Sequence, residues 1–136
     1  MKLGSTSLRI AAVAFALGLS VLAAGVTSSL TEQSQRQAMA KALAAGNPAL
    51  APPIFRRYGC SGCHTIPGIA GADGKVGGPL SHLSQQVYIG GVANNTPENL
   101  TAWIVSPQRF SQNSAMPATG VTEAEARHLA AYLYAN

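Results

Sequence analysis

The sequence has little charge, few cysteines and no nucleotide-binding motif. Charged residues make up 10% of its 136 residues, and nine basic against five acidic side chains give a formal charge of +4. Without Lys2 and Arg9 of the N-terminal segment, seven basic residues face five acidic ones, a balance of +2. No cluster of lysine and arginine with interleaved aromatic residues occurs, so no nucleic-acid partner is expected. The glycine-rich stretch 65–78 lacks the P-loop and Rossmann spacings, which argues against nucleotide binding.

Both cysteines stand in one short motif, CSGCH at residues 60–64. A Cys-x-x-Cys pair also occurs in redox dithiols and zinc sites, but a structural zinc site needs four ligands, and only His82 and His128 remain besides His64. The Cys-x-x-Cys-His pattern is typical of covalent haem attachment, in which both thiols bind one porphyrin and the histidine ligates the iron. We therefore predict one covalent haem c attached to Cys60 and Cys63, with His64 as an iron ligand.

An uncharged, mostly apolar run from Ile10 to Val26 follows Lys2 and Arg9. This order is typical of an export signal whose positive flank stays in the cytoplasm. The run is longer than the core of an ordinary signal peptide and close to the minimum for a spanning helix. We expect residues 1–30 to anchor the protein in a bacterial inner membrane, with the rest in the periplasm. Cleavage near Val26 would instead leave a soluble periplasmic protein.

The remaining chain is predicted to form an all-α fold around the haem. Residues 31–47 are rich in helix formers and are interpreted as a helical linker, and residues 48–136 as the haem domain. One helix is predicted to start near Ala51 and run into the CSGCH motif. A second is expected after Thr96, and a capping box at Thr122 opens a C-terminal helix.

A second iron ligand is predicted at Met116. A core methionine usually lies on an apolar helix face, whereas this one follows a polar stretch between two predicted helices and precedes a proline. A thioether suits ferrous iron, and enough chain separates Met116 from His64 to reach the opposite side of the haem. His82 and His128 are predicted to be solvated.

Two further residues are candidates for contact with the haem or with its ligand. The carbonyl of Pro79, where the glycine-rich loop ends, could accept a hydrogen bond from the other nitrogen of the ligating histidine, with an ordinary turn proline as the alternative. Trp103 is expected to pack against the haem, and its indole N–H could alternatively donate to a propionate.

These motifs resemble class I, monohaem cytochromes c over residues 47–134. The similarity is carried by YGCSGCHTIPG, GGPLSHL, TPENLTAWIVSPQ, the Met-Pro pair and EARHLAAYLY, and it points to cytochrome c domains associated with subunit II of bacterial haem-copper oxidases. The resemblance implies that a helix over residues 51–63 crosses one over residues 122–134. Ala51 replaces the glycine usual at that crossing.

The same resemblance implies the site. Cys60 and Cys63 would form the thioethers, His64 and Met116 the axial ligands, and Pro79 the hydrogen-bond partner of the histidine. Where related domains carry an arginine near the propionates, this chain has Ser84-Gln85-Gln86. Arg109 is the hypothetical substitute for that arginine near the propionates.

The predicted function is electron transport, with single electrons carried by Fe(III)/Fe(II) cycling. Filled axial positions leave no open site for oxygen or peroxide, so no enzymatic activity is expected. The expected acceptor is a membrane haem-copper oxidase, and the expected donor a quinol-oxidising complex or a periplasmic dehydrogenase. Alternatives are a fixed haem subunit of a larger respiratory or dehydrogenase complex, and a five-coordinate haem peroxidase or gas-binding protein.

Overall fold

The computed structural model describes the backbone of residues 5–136 and the side chains of residue 10 and residues 12–136. The predicted positive flank, Lys2 and the side chain of Arg9, lies outside the described residues. The described chain falls into two compact units, one ending at Gln35 and the other comprising Arg36–Asn136.

The first helix, α1, spans Ser5–Ala44 without a break. Within the described residues, the segment Ala12–Ala44 contains a stretch long and apolar enough to cross a bilayer, and none of that stretch is buried. Large apolar side chains such as Phe15 and Val21 are exposed along it. By length and composition, this helix fits a membrane anchor or a signal peptide. The domain limits at residues 30 and 47 stay predictions.

The unit Arg36–Asn136 contains four shorter helices: α2 (Ala51–Arg57), α3 (Cys60–Cys63), α4 (Pro97–Val105) and α5 (Glu123–Ala135). Short 3₁₀ turns lie at Pro48–Leu50, Leu83–Gln85 and Pro107–Arg109. The one sheet found in the described chain is an antiparallel hairpin of β1 (Tyr88–Ile89) and β2 (Ala93–Asn94), which pairs Tyr88 with Asn94. The predicted all-α fold is confirmed.

Side-chain caps fix where α4 and α5 begin. The hydroxyl of Thr96 accepts a hydrogen bond from the backbone N–H of Asn99 at 3.2 Å. The hydroxyl of Thr122 accepts one from the N–H of Glu125 at 3.3 Å, and the Glu125 carboxylate accepts one from the Thr122 N–H at 3.1 Å. Both caps satisfy N–H groups that have no partner within the helix. Both predicted helix starts are confirmed.

One helix was predicted to run from Ala51 into the CSGCH motif, but the structure divides this stretch into two helices, so the prediction was wrong in that respect. Gly59 has φ +70° and ψ +19°, a left-handed conformation that ends α2 before α3 begins at Cys60. Glycine adopts this conformation without the steric cost that a side chain would impose. The single turn that carries both cysteines therefore takes a direction of its own.

The predicted crossing of the N-terminal and C-terminal helices of the domain is confirmed by contacts between α2 and α5. Phe55 of α2 is 2% exposed and meets Tyr132 of α5 edge to face, with ring centroids 5.4 Å apart. At the edge of this contact, the Tyr58 hydroxyl donates to the Glu125 carboxylate at 2.8 Å, and Arg57 forms an ion pair with the same group at 2.8 Å. Apolar burial holds the centre of the crossing, and charge and hydrogen bonds hold its edge.

The segment before α2 lies directly against α5. A Cβ at Gly46 would stand 2.1 Å from the carbonyl oxygen of Arg127, so the contact requires glycine. The next residue, Asn47, donates its backbone N–H to Nδ1 of His128 at 2.9 Å. His128 is therefore half-buried and holds this segment, which corrects the prediction that it is solvated. His82 is exposed, as predicted.

Candidate functional site

A cavity of about 610 Å³ lies between α2, α4, α5 and the connecting loops. Its volume is within the range of roughly 300–1,000 Å³ usual for small-molecule sites. Within the described part of the chain, no Asp, Glu, Lys or Arg lines it. Buried apolar side chains form much of its wall, namely Phe55, Leu83, Leu100, Ile104, Leu129 and Leu133. Such a cavity suits a large apolar group.

Most of the predicted cofactor residues line this cavity, namely Cys60, His64, Pro79, Trp103 and Met116. Cys63 is half-buried at the other end of α3 and is not part of the lining. Arg109 is exposed in the 3₁₀ turn after α4 and is also absent from the lining. The fold thus brings the two proposed axial ligands to one cavity and leaves the proposed propionate partner outside it.

The two cysteines lie one helical turn apart on α3, a spacing that places their side chains on neighbouring positions of one face. Burial raises the pKa of the Cys60 thiol, which favours its neutral form. A redox dithiol needs the opposite shift, because its attacking sulfur is a thiolate. Among the described residues, no group of three or more His, Cys, Asp or Glu could hold a metal. The described residues thus do not bring together the four ligands that a structural zinc site needs.

A backbone carbonyl fixes the orientation of the His64 ring. Its Nδ1 lies 2.7 Å from the carbonyl oxygen of Gly78. Because a carbonyl only accepts, Nδ1 carries the hydrogen, and Nε2 keeps a lone pair for a metal. The predicted acceptor was the carbonyl of Pro79, so this assignment was wrong by one residue. Two consecutive glycines let the backbone pass beside the ring before the proline is reached, and Pro79 lines the cavity instead.

Gly77 packs against the His64 ring. A Cβ at this position would stand 2.2 Å from Cε1 and 2.6 Å from Nδ1 of the imidazole. The Gly77 N–H also donates to the carbonyl of Cys63 at 2.8 Å, which fixes the loop to the CSGCH motif. The glycine-rich composition indicated a loop but not this packing. The Gly77-Gly78 pair was the available signal, because adjacent glycines permit a close backbone approach.

Met116 reaches the cavity from the loop between α4 and α5. Its carbonyl accepts a hydrogen bond from Nε2 of Gln108 at 2.8 Å, and its N–H donates to the hydroxyl of Ser114 at 3.3 Å. These bonds hold the backbone on both sides of the side chain and leave the thioether sulfur available. Gln108 was not predicted, because a single glutamine in a polar turn carries no distinguishing signal.

Trp103 contributes a wall of the cavity from α4. A Cβ at Gly90 would stand 2.7 Å from its Cη2, and its ring centroid lies 6.0 Å from that of Phe110. The hairpin and the turn after α4 therefore hold the indole in place. Contact of Trp103 with a haem or with a propionate stays a prediction.

The site has a cavity without charged side chains, a cysteine in its wall and a histidine whose tautomer leaves Nε2 available to iron. The residues present fit a haem. The sequence model of the cytochrome c family matches residues 48–135. The chain belongs to the cytochrome c family, which confirms the resemblance. Membership implies haem c, electron transfer and redox partners.

The chain is also similar to cytochrome c oxidase subunit 2 of Alkalihalophilus pseudofirmus, with 35% identity over 82 residues. This alignment covers 59% of the chain and 23% of that protein. No solved structure matches the chain significantly. The similarity supports the resemblance to oxidase-associated cytochrome c domains, although the chain spans only a minor part of that relative.

Proposed function

We propose that the chain is a monohaem electron carrier and not an enzyme. Cys60 and Cys63 would hold one haem c covalently, and His64 and Met116 would ligate its iron. The observation that carries this proposal is the hydrogen bond from His64 Nδ1 to the Gly78 carbonyl, which in the neutral imidazole places the free lone pair on Nε2, on a residue that lines an apolar cavity. A histidine held in this way is suited to ligate a metal.

When bound, haem supplies one-electron chemistry, because its iron has two oxidation states that differ by one electron. The chain sets the potential and the access to the site. The Gly78 carbonyl makes the His64 imidazole a stronger donor, whereas the thioether of Met116 favours the ferrous state. The apolar wall acts in the same direction as the thioether, because a low-dielectric surround disfavours the extra charge of ferric haem. Two side-chain ligands together exclude oxygen and peroxide from the axial positions.

The proposed location is the periplasmic face of a bacterial inner membrane. Residues 1–30 form the anchor, residues 31–47 the helical linker and residues 48–136 the haem domain, and the long apolar helix α1 supports this arrangement. A soluble periplasmic form after signal cleavage is the alternative. The name of the relative, an oxidase subunit, supports a haem-copper oxidase as acceptor. The donor would be a quinol-oxidising complex or a periplasmic dehydrogenase. Anchoring raises the effective concentration of the carrier near membrane partners.

The assignment of Met116 is tested on the full-length, haem-loaded protein. The oxidised wild type should show the weak far-red band of sulfur-to-iron charge transfer. Met116→Ala should lose this band, lower the midpoint potential and bind carbon monoxide or cyanide at once, while the haem stays attached. Met39→Ala is the matched control, because Met39 is 66% exposed on α1. An unchanged spectrum and potential in Met116→Ala would assign the ligand to another residue, and a high-spin wild type would indicate a five-coordinate haem.

A fixed haem subunit of a respiratory complex is the second candidate, favoured by the name of the similar oxidase subunit. Gentle detergent extraction distinguishes the two. A free carrier should migrate alone, whereas a fixed subunit should co-purify with oxidase or dehydrogenase subunits in constant ratio.

A further inference from the structure

We propose that the rim of the haem cavity is an uncharged, apolar docking face, and that it binds a redox protein whose own docking face is also uncharged. The proposal rests on the proposed function, because it describes the chemistry of the partner at the same cavity. It predicts association that depends little on salt.

The rim consists of Pro79, Val87, Tyr88, Val92 and Ala115. Pro79, Tyr88 and Ala115 line the cavity and are exposed, so they mark where it opens to solvent. Val87 directly precedes β1 and Val92 directly precedes β2. Neither lines the cavity, but their chain neighbours Tyr88 and Gly91 do. Val87, Tyr88 and Val92 are 70%, 55% and 52% exposed. These side chains concentrate apolar surface at the opening, where an electron-transfer partner has to dock.

The distribution of charge determines which partner fits this rim. The segments 76–97 and 110–122 contain no Asp, Glu, Lys or Arg. The charged residues that flank these two segments in the chain are Lys75, Glu98, Arg109 and Glu123, and none of the four lines the cavity. A partner with a charged face would therefore bury its charges without an opposite charge, which costs free energy. An uncharged apolar face avoids this cost.

The charged side chains of α5 do not make up for the absence of charged side chains at the rim. Arg57 pairs with Glu125, and Arg127 pairs with Glu123, within the chain itself. Each of these two pairs is neutral as a whole, so it adds little to long-range steering of a charged partner. A tether to the same membrane supplies the encounter rate that steering would otherwise supply. Interfaces for electron transfer are also small, below roughly 1,200 Å² in total, so a short apolar rim is sufficient.

The step at this interface is a single-electron transfer. A haem held by these residues would give up one electron and be oxidised, and a one-electron metal centre of the partner would accept it and be reduced. No bond forms or breaks and no proton is required, so a docked complex needs only proximity.

The first test uses membrane vesicles from the source bacterium with the full-length chain expressed from its own locus. Oxidation of the reduced haem is followed by absorbance after mixing with oxygen, at salt concentrations from about 20 mM to about 500 mM, over which the Debye length falls from about 20 Å to about 4 Å. We expect the rate to change by no more than about two-fold. A fall of about ten-fold or more would overturn the proposal, because it would show recognition by charge.

The second test introduces a charge into the rim. Val87→Lys and Val92→Lys should each slow oxidation by about five-fold or more, because docking would bury an unpaired ammonium group. Leu50→Lys is the matched control, since Leu50 is 48% exposed and absent from the cavity lining. Equal rates in all three variants would overturn the assignment of this face. Midpoint potentials should not differ among them.

A small uncharged quinol separates failure of this inference from failure of the proposed function. If the wild-type haem does not cycle with the quinol, the chain is not an electron carrier. If it cycles and the rim variants still match the control with the vesicles, only the docking face is wrong. Cross-linking of purified Val92→Cys into dimers would assign the rim to a second copy instead. Protection of that thiol from a water-soluble maleimide by lipid vesicles alone would assign it to lipid.

Discussion

Replacing Gly77 with alanine tests how the proposed histidine ligand is held. The added Cβ would stand 2.2 Å from Cε1 of His64, whereas ordinary van der Waals contact begins at 3.4 Å. The ring must therefore move by about 1.2 Å, the difference between these two distances, or the loop must move instead. The Gly77 N–H bond to Cys63 opposes movement of the loop, since it is 2.8 Å long and joins it to α3.

A shift of that size is larger than the tolerance of the bond between His64 Nδ1 and the Gly78 carbonyl, because good N–H···O bonds span only about 0.5 Å in length. Loss of this bond costs about 0.5–1.5 kcal/mol, and overpacking adds about 1–3 kcal/mol. We expect Gly77→Ala to lower the free energy of unfolding by about 2–4 kcal/mol. The imidazole also becomes a weaker donor, so the midpoint potential should rise by roughly tens of millivolts.

Denaturant unfolding and redox titration of the full-length, haem-loaded protein measure both effects. Gly78→Ala is a close control, because a Cβ there meets no atom within 4 Å and its carbonyl is retained. This control should keep the wild-type stability and potential. If Gly77→Ala matched Gly78→Ala in both measurements, the packing of Gly77 on the His64 ring would be refuted. A loss of stability without a change of potential would place the strain in the loop and not at the histidine.

Three further predictions concern the packing around α5. The hydrogen bond from Tyr58, aided by Thr122 and Arg57, lowers the pKa of Glu125. The resulting stabilisation is present above the unfolded pKa of about 4.3 and is lost as pH falls through the folded value. The Tm advantage of wild type over Glu125→Gln should therefore shrink on acidification, and a constant difference in Tm would contradict this prediction. Burial, and to a lesser degree Glu98, raises the pKa of Tyr134 to about 12. The resulting stabilisation is present below the unfolded pKa of about 10 and is lost as pH rises through about 12. Tyr134→Phe should therefore lack this part of the alkaline fall in Tm, and identical pH profiles of wild type and variant would disprove the prediction. Gly46→Ala should lower the free energy of unfolding, measured in urea, by about 2–3 kcal/mol, because the added Cβ would meet a backbone atom of α5 that cannot rotate away. A stability equal to that of Gly78→Ala would instead show that the segment before α2 relaxes.

The elements that the sequence predicted well are those with a local cause. Thr96 and Thr122 cap the helices that follow them, and the hydrogen bonds that do so join residues only three positions apart. The CSGCH motif places its cysteines one turn apart for the same local reason. Met116 was singled out because its surroundings are polar, and the structure places it in the lining of the cavity. Local patterns were sufficient in each case.

The missed features depend on partners that are distant in the chain. His128 was predicted to be solvated because its helix position gave no apolar signal, yet its partner, Asn47, lies 81 residues earlier. Gly46 lies in the predicted linker, and no pattern there indicated that contact with Arg127 requires glycine. Arg109, proposed for the propionates by analogy, is exposed in the turn after α4 and outside the lining, and its role stays a prediction. No periodicity or spacing in one sequence encodes such contacts.

The two proposed axial ligands are held in different ways, which suggests a division of roles. The ring of His64 itself is fixed, by the Gly78 carbonyl on one atom and by the close approach of Gly77. For Met116, by contrast, the bonds from Gln108 and to Ser114 fix only the backbone, and the flexible side chain has three rotatable bonds beyond them. The His64 ring donates its hydrogen bond to a loop that is anchored to α3. Disturbance of the loop after α4 therefore leaves the histidine side intact. Ligand loss should therefore begin at the sulfur, and a ligand-binding state reached by opening that loop would keep both the haem attachment and the histidine.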